Sequence, residues 1–125
     1  MILFRNLINP LALHDRIFRY GFLVVAPFIN LLSFALVFWK IFPIRGARDV
    51  FALHYNIYFG IDLIGEWYKI FAVPLAALLF LILNFIFASL SYRASRALAY
   101  FATGFTVLAE LILFLALFLI ILLNI

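Results

Sequence analysis

Glu110 stands near the middle of the run Tyr100 to Leu123, which carries no other charge. An ionisable side chain inside so apolar a segment costs a few kcal/mol to insert into lipid, so it faces other helices or water. Two uses account for such a residue. A protonated acid can hydrogen-bond between helices, or a carboxyl can relay a proton or ion. Thr103 and Thr106 share its face at helical spacing. Asn30 and Asn84 stand in the two other long apolar runs. Asn30 lies ten residues into the first run and Glu110 ten into the third, while Asn84 lies nearer the end, level with Thr106. Asn30, Asn84, Thr106 and Glu110 are therefore expected to form one buried polar cluster. Glu110 is expected as the neutral acid there, because desolvation disfavours the anion.

The other chemically capable residues, His54, Asn56, Asp62 and Glu66, lie in one semi-polar stretch, Asp49 to Lys69. His54, Asp62 and Glu66 are spaced by eight and four, which would align them only on one unbroken helix, and Gly60 interrupts it. A metal centre needs three or four ligands in a defined geometry. The second histidine, His14, falls on the opposite side of the membrane in the topology below. Helix caps and headgroup contacts are the expected roles of this stretch. His14 and Asp15 are adjacent and cannot share a helix face, so they are expected in a solvated interfacial turn. The chain has no cysteine, and no Ser-His-Asp spacing, glycine-rich phosphate loop or HExxH motif. Neither catalysis nor a cofactor nor a metal is expected.

The elements that would hold these residues follow from composition. Of 125 residues, 70% are hydrophobic and 11% charged. A soluble domain is closer to half apolar, and a chain this short cannot hide the excess in one core. Lipid must therefore serve as solvent. About twenty apolar residues cross a bilayer as a helix, and three runs qualify, at residues 20–42, 70–91 and 100–123. Pro27 lies inside the first and is expected to kink it, because its ring blocks the bond to the Leu23 carbonyl. Pro74 falls in the first turn of the second span, where proline is tolerated. Ser95 is placed to cap the third. Asn9-Pro10 is a helix start, and from it one amphipathic interfacial helix is expected to run into the first span.

The connector admits two readings. Phe51, Leu53, Tyr55, Ile57 and Phe59 alternate with Ala52, His54, Asn56 and Tyr58, as in a strand. A lone strand at a membrane leaves its backbone unpaired, and no second alternating run is evident. Two short interfacial helices broken at Gly60 are favoured instead, with Asp49 as the cap of the first. The segment HYNIYFGIDLIG, residues 54–65, together with Pro74 and Asn84, resembles a family of small uncharacterised bacterial integral membrane proteins. The resemblance covers about the middle third of the chain. It implies a membrane protein and no particular activity.

The expected fold is thus an all-α membrane protein: one polytopic domain over residues 1–125, with three transmembrane helices, an interfacial N-terminal helix and a semi-polar helical connector over residues 44–69. The net charge of +4 sits beside the spans, where topology and anionic lipid account for it without nucleic acid. Arg5, Arg16, Arg19, Arg93 and Arg96 fall on one side; Lys40, Arg45, Arg48 and Lys69 fall on the other, with the loop acids. The first side is expected to be cytoplasmic, in a bacterial inner membrane, with the C-terminus outside. The expected role is non-enzymatic, as a homo-oligomer or an accessory subunit among other membrane proteins. A small channel or transporter using Glu110 is the alternative.

Overall fold

The computed structural model describes residues 8–125, without the side chains of Tyr55 and Asp62. Three helical segments, Arg16–Ile44, Trp67–Ser91 and Arg96–Asn124, are long and apolar enough to cross a membrane. They are joined by a β-hairpin and a tight turn.

The entry to the first span is two short helices, α1 (Pro10–His14) and α2 (Arg16–Tyr20), where the sequence suggested one. Asn9 caps α1, its Oδ1 accepting the Leu11 N–H at 3.0 Å. Asp15 adopts an extended conformation and caps α2 by accepting the N–H groups of Ile17 and Phe18. The same acid that ends the first helix starts the second, so the break is built by Asp15 itself.

One π-helical turn, Gly21–Val25, leads into α3 (Ala26–Lys40). The Ala26 N–H bonds the Gly21 carbonyl, five residues back. The irregularity falls just before Pro27, which has no N–H to give the preceding turn and whose ring crowds it. The disturbance expected from this proline is therefore expressed as a widened turn. Gly21 has a second function. A Cβ there would lie 2.1 Å from Thr103 Cγ2, so only glycine lets the first span approach the third this closely.

The second span ends in α4 (Ala72–Ser91), preceded by the 3₁₀ turn Trp67–Phe71, and the third is α5 (Arg96–Asn124), capped by Ser95 Oγ on the Leu98 N–H. Ala99, Thr103, Thr106, Glu110, Leu117 and Ile121 are buried along one face of α5, the three- and four-residue rhythm of a helix with one packed side. The packed interior has three levels. At one end Ala12, Phe18, Phe22, Ala88, Tyr92 and Ala99 cluster. At the other, Val37, Ile41, Phe51, Ile70, Leu117, Ile120 and Ile121 cluster. Polar residues occupy the level between.

The connector corrects the sequence-based expectation of two interfacial helices. Strands β1 (Phe51–Asn56) and β2 (Gly60–Gly65) pair antiparallel, with Phe51 opposite Gly65 and Asn56 opposite Gly60. The register shifts between Ala52 and His54 and again between His54 and Tyr55, so the ribbon is bulged and twisted. The second run that seemed missing is Gly60-Ile61-Asp62-Leu63-Ile64-Gly65, too short and too glycine-bounded to register as a strand alone. Pairing supplies the backbone bonds that a lone strand would lack. Gly60 has φ +75°. This left-handed conformation can end a helix, but here it closes a three-residue hairpin loop. Asn56 Oδ1 accepts the Tyr58 N–H at 2.8 Å and tightens the loop. Asp49 caps no helix.

Candidate functional site

The four residues expected in the buried cluster meet as two pairs. Asn30 on α3 and Glu110 on α5 face each other, Asn30 Nδ2 donating to Glu110 Oε2 at 3.4 Å. The same amide donates to the Pro74 carbonyl of α4 at 3.0 Å. One side chain thus ties all three spans at a single level. About one helical turn away along α5, Asn84 Nδ2 donates to Thr106 Oγ1 at 2.9 Å. The Thr106 hydroxyl in turn donates to the Ala102 carbonyl at 2.6 Å, a local bond that holds the threonine in place as an acceptor. Thr103 and Ser33 make the same kind of bond to Ala99 and Ile29.

Glu110 is 1% exposed within the single chain. Its Oε2 has the Asn30 partner, while its Oε1 is buried without a hydrogen-bond partner. Buried polar groups are nearly always paired, so this oxygen stands out. Two uses remain open to it: a neutral acid held between helices, or a carboxyl that takes and releases a proton.

The connector candidates do not converge. His54 is exposed on β1, opposite Leu63. It borders a groove of about 390 Å³ whose other walls are Ala116, Leu119, Ile120, Leu122 and Leu123 of α5. Asn56 serves the hairpin loop. Asp62 lies on β2, and its side chain is outside the described set. Glu66 is exposed beyond the end of β2, its carbonyl accepting the Lys69 N–H at 3.1 Å. Among the described residues no three His, Asp or Glu side chains are grouped so as to hold a metal ion.

Three polar arrangements escaped the sequence reading. Asn124, at the end of α5, clasps β1: its Oδ1 accepts the Ala52 N–H at 2.8 Å and its Nδ2 donates to the Ala52 carbonyl at 2.8 Å. Nδ2 also donates to the Ile120 carbonyl. The side-chain amide takes the place of a neighbouring strand on the outer edge of β1. Asn9 donates its backbone N–H to the buried Ser89 Oγ at 2.7 Å. Asp15 Oδ2 accepts the hydroxyls of Tyr92 at 2.8 Å and Tyr100 at 2.5 Å. This replaces the solvated turn expected for His14 and Asp15 with a clamp between α2 and the two other spans. Burial pushes the Asp15 carboxyl up, but the bonds from Tyr100, Tyr92, Phe18 and Ile17 outweigh it and hold the group below its ordinary 3.8. The Tyr92 hydroxyl is pushed up by the same bond. The available signals were an amide at the tip of an apolar run and two tyrosines eight residues apart beside a charged turn.

No protein-family model, curated protein or solved structure matches the chain.

Proposed function

We propose that the chain is a non-enzymatic integral membrane protein that works by assembly, as a homo-oligomer or as an accessory subunit of a larger membrane complex. The hairpin carries this reading. Its loop residues Ile57, Tyr58 and Phe59 are 81%, 87% and 83% exposed. Ile61, Leu63 and Ile64 of β2 are exposed beside them. In the two-stranded sheet, Asn124 occupies the outer edge of β1, while the second side of β2 is paired by no strand among the described residues. Edge strands and apolar patches of this kind are where other chains dock. Apart from Glu110 Oε1, the buried polar groups find their partners within one chain, so assembly does not depend on them. The proposal includes an orientation, with the hairpin outside and the arginine-rich end inside a bacterial inner membrane, for which the balance of basic residues beside the spans is the support.

Full-length protein in lipid nanodiscs tests the proposal. Native mass spectrometry is expected to find wild type as an oligomer or with a stoichiometric second protein. Changing Ile57, Tyr58 and Phe59 together to serine is expected to leave a folded monomer. A wild type that is monomeric and alone in its native membrane extract would overturn it. For orientation, single cysteines replacing Arg45 and Ser95 are expected to label from outside and inside respectively; the chain has no native cysteine to confuse the result.

A second reading rests on the unpartnered Glu110 Oε1: passage of a proton or ion by way of Glu110. It requires flux through wild type in liposomes that Glu110→Gln abolishes while leaving the fold intact. Equal flux, or none from either protein, removes it.

A further inference from the structure

The arginine-rich end of the bundle is organised around one acid. Asp15 is the sole carboxylate in the sequence at that end; Asp49, Asp62 and Glu66 lie in the connector and Glu110 within α5. Its carboxylate is fully engaged, taking two tyrosine hydroxyls and two backbone N–H groups. Four arginines are placed about this hub. Arg16 follows Asp15 directly, and Arg19 lies one turn further along α2, its own N–H bonded to the Asp15 carbonyl. Arg93 follows Tyr92, and the Arg96 guanidinium lies 5.7 Å from the centre of the Tyr92 ring. The Arg19 guanidinium lies against the Tyr20 ring and that of Arg96 against Tyr92, Arg16 and Arg93 are exposed, and among the described residues none of the four pairs with Asp15.

The charge balance differs from the hairpin end, where Lys40, Arg45, Arg48 and Lys69 are offset by Asp49, Asp62 and Glu66. At the Asp15 end every cation of the described chain is arginine. Its planar fork matches phosphate oxygens two at a time. The four arginines stand at one end of the three candidate spans, beside their limits at Arg16, Ser91 and Arg96.

We infer that this end is a binding site for the phosphate of anionic phospholipid, and that Tyr92 and Tyr100 keep it available by occupying Asp15. Without the two hydroxyls the carboxylate would turn to the nearest guanidinium and compete with the lipid. The inference is independent of the hairpin and of any assembly through it.

The test titrates purified full-length protein with phosphatidylglycerol and, separately, phosphatidylcholine, and counts retained lipid by native mass spectrometry. Wild type is expected to prefer phosphatidylglycerol. Each single Arg→Gln change among Arg16, Arg19, Arg93 and Arg96 should weaken that binding about fivefold. All four together should abolish the preference. The matching quadruple change of Lys40, Arg45, Arg48 and Lys69 to Gln should leave it intact. Loss of preference in this second set would overturn the site in favour of total charge. Tyr92→Phe with Tyr100→Phe should lower phosphatidylglycerol binding, and adding Asp15→Asn should restore it. Restoration separates competition by the carboxylate from simple damage to the fold. Failure of the triple variant to recover, with its helix content intact, would overturn the tyrosine role. Displacement of the lipid by millimolar inorganic phosphate would show a free-anion site instead of a lipid one.

Discussion

Glu110 and Asn30 face each other across packed helices, whereas Ile57, Tyr58 and Phe59 stand clear of the bundle. The two regions invert the usual rule of which residues a protein hides. At the polar level between the spans, groups that lipid rejects are brought together and shielded within one chain, as any polar group in hydrocarbon must be. At the hairpin, groups that water rejects are put outside. The difference teaches where each region looks for its environment. The polar level is complete in itself but for Glu110 Oε1; the hairpin is complete only with lipid or another chain around it.

Removing the clasp that joins the hairpin to the bundle should break this contrast most severely. Asn124→Leu forfeits three hydrogen bonds and leaves the Ala52 N–H and carbonyl without that partner. At about 1 kcal/mol per bond the local loss is about 3 kcal/mol. Hydrogen–deuterium exchange over Phe51–Asn56 should then accelerate roughly a hundredfold, while α4 and α5 stay protected. Unchanged exchange would mean that the apolar packing of Phe51 holds the hairpin alone.

The polar level should yield less. Glu110→Leu removes one of the two acceptors of the Asn30 amide, and bonds of this kind inside membranes are worth about 0.6 to 2 kcal/mol. Glu110→Gln retains an acceptor and should change stability by under about 0.5 kcal/mol. Steric-trap or denaturant unfolding in bicelles separates the two. A Gln variant as weak as Leu would show that the carboxyl itself is required.

Acid probes the Asp15 clamp. The folded-state carboxyl lies below its ordinary value of 3.8, so the unfolded chain takes up the proton first as pH falls. The stabilisation is fully present above the ordinary value and is lost as pH drops through the folded one. Tyr92 and Tyr100 are the side chains that donate to it. Thermal stability should hold from pH 7 to about 5 and then decline, and Asp15→Asn should remove that part of the decline.

Serine at Ile57, Tyr58 and Phe59 should have the smallest effect on the isolated fold, within about 0.5 kcal/mol, because these side chains bury almost nothing in the chain. Trp67 fluorescence, isolated by Trp39→Phe, extends the comparison to lipid: shallow brominated lipid should quench it more than aqueous iodide. The reverse would place this end of the bundle in water.

Legibility in the sequence follows how local each cause is. The spans could be read because lipid imposes a length on any crossing helix. The common level of Asn30 and Glu110 could be read because helices rise evenly, so counting residues measures depth. The hairpin could not, because neither Phe51–Asn56 nor Gly60–Gly65 declares itself alone, and Gly60 suits a helix end as well as a tight loop. Asn124 binds a residue 72 positions away, and Asp15 binds Tyr92 and Tyr100 at separations of 77 and 85. No pattern within a window of sequence carries such partners. The polar group was visible in each case, but its destination depended on the packed fold.

The π-helical turn at Gly21–Val25 has a consequence for the phase of the first span. Phe18, Phe22, Ala26 and Asn30 are all buried, and they recur at intervals of four. In a regular helix each such step overshoots a full turn by about 40°, so three would swing Asn30 about 120° around from Phe18. The wider turn takes up that drift as one spare residue, acting as a shim between two correctly aimed half-helices. Phe18 can therefore meet Phe85 and Tyr92 at one end while Asn30 still points at Glu110. Losing a residue elsewhere in this span would rotate everything beyond it away from its partners; losing one of the exposed residues Leu23, Val24 or Val25 would only straighten the helix.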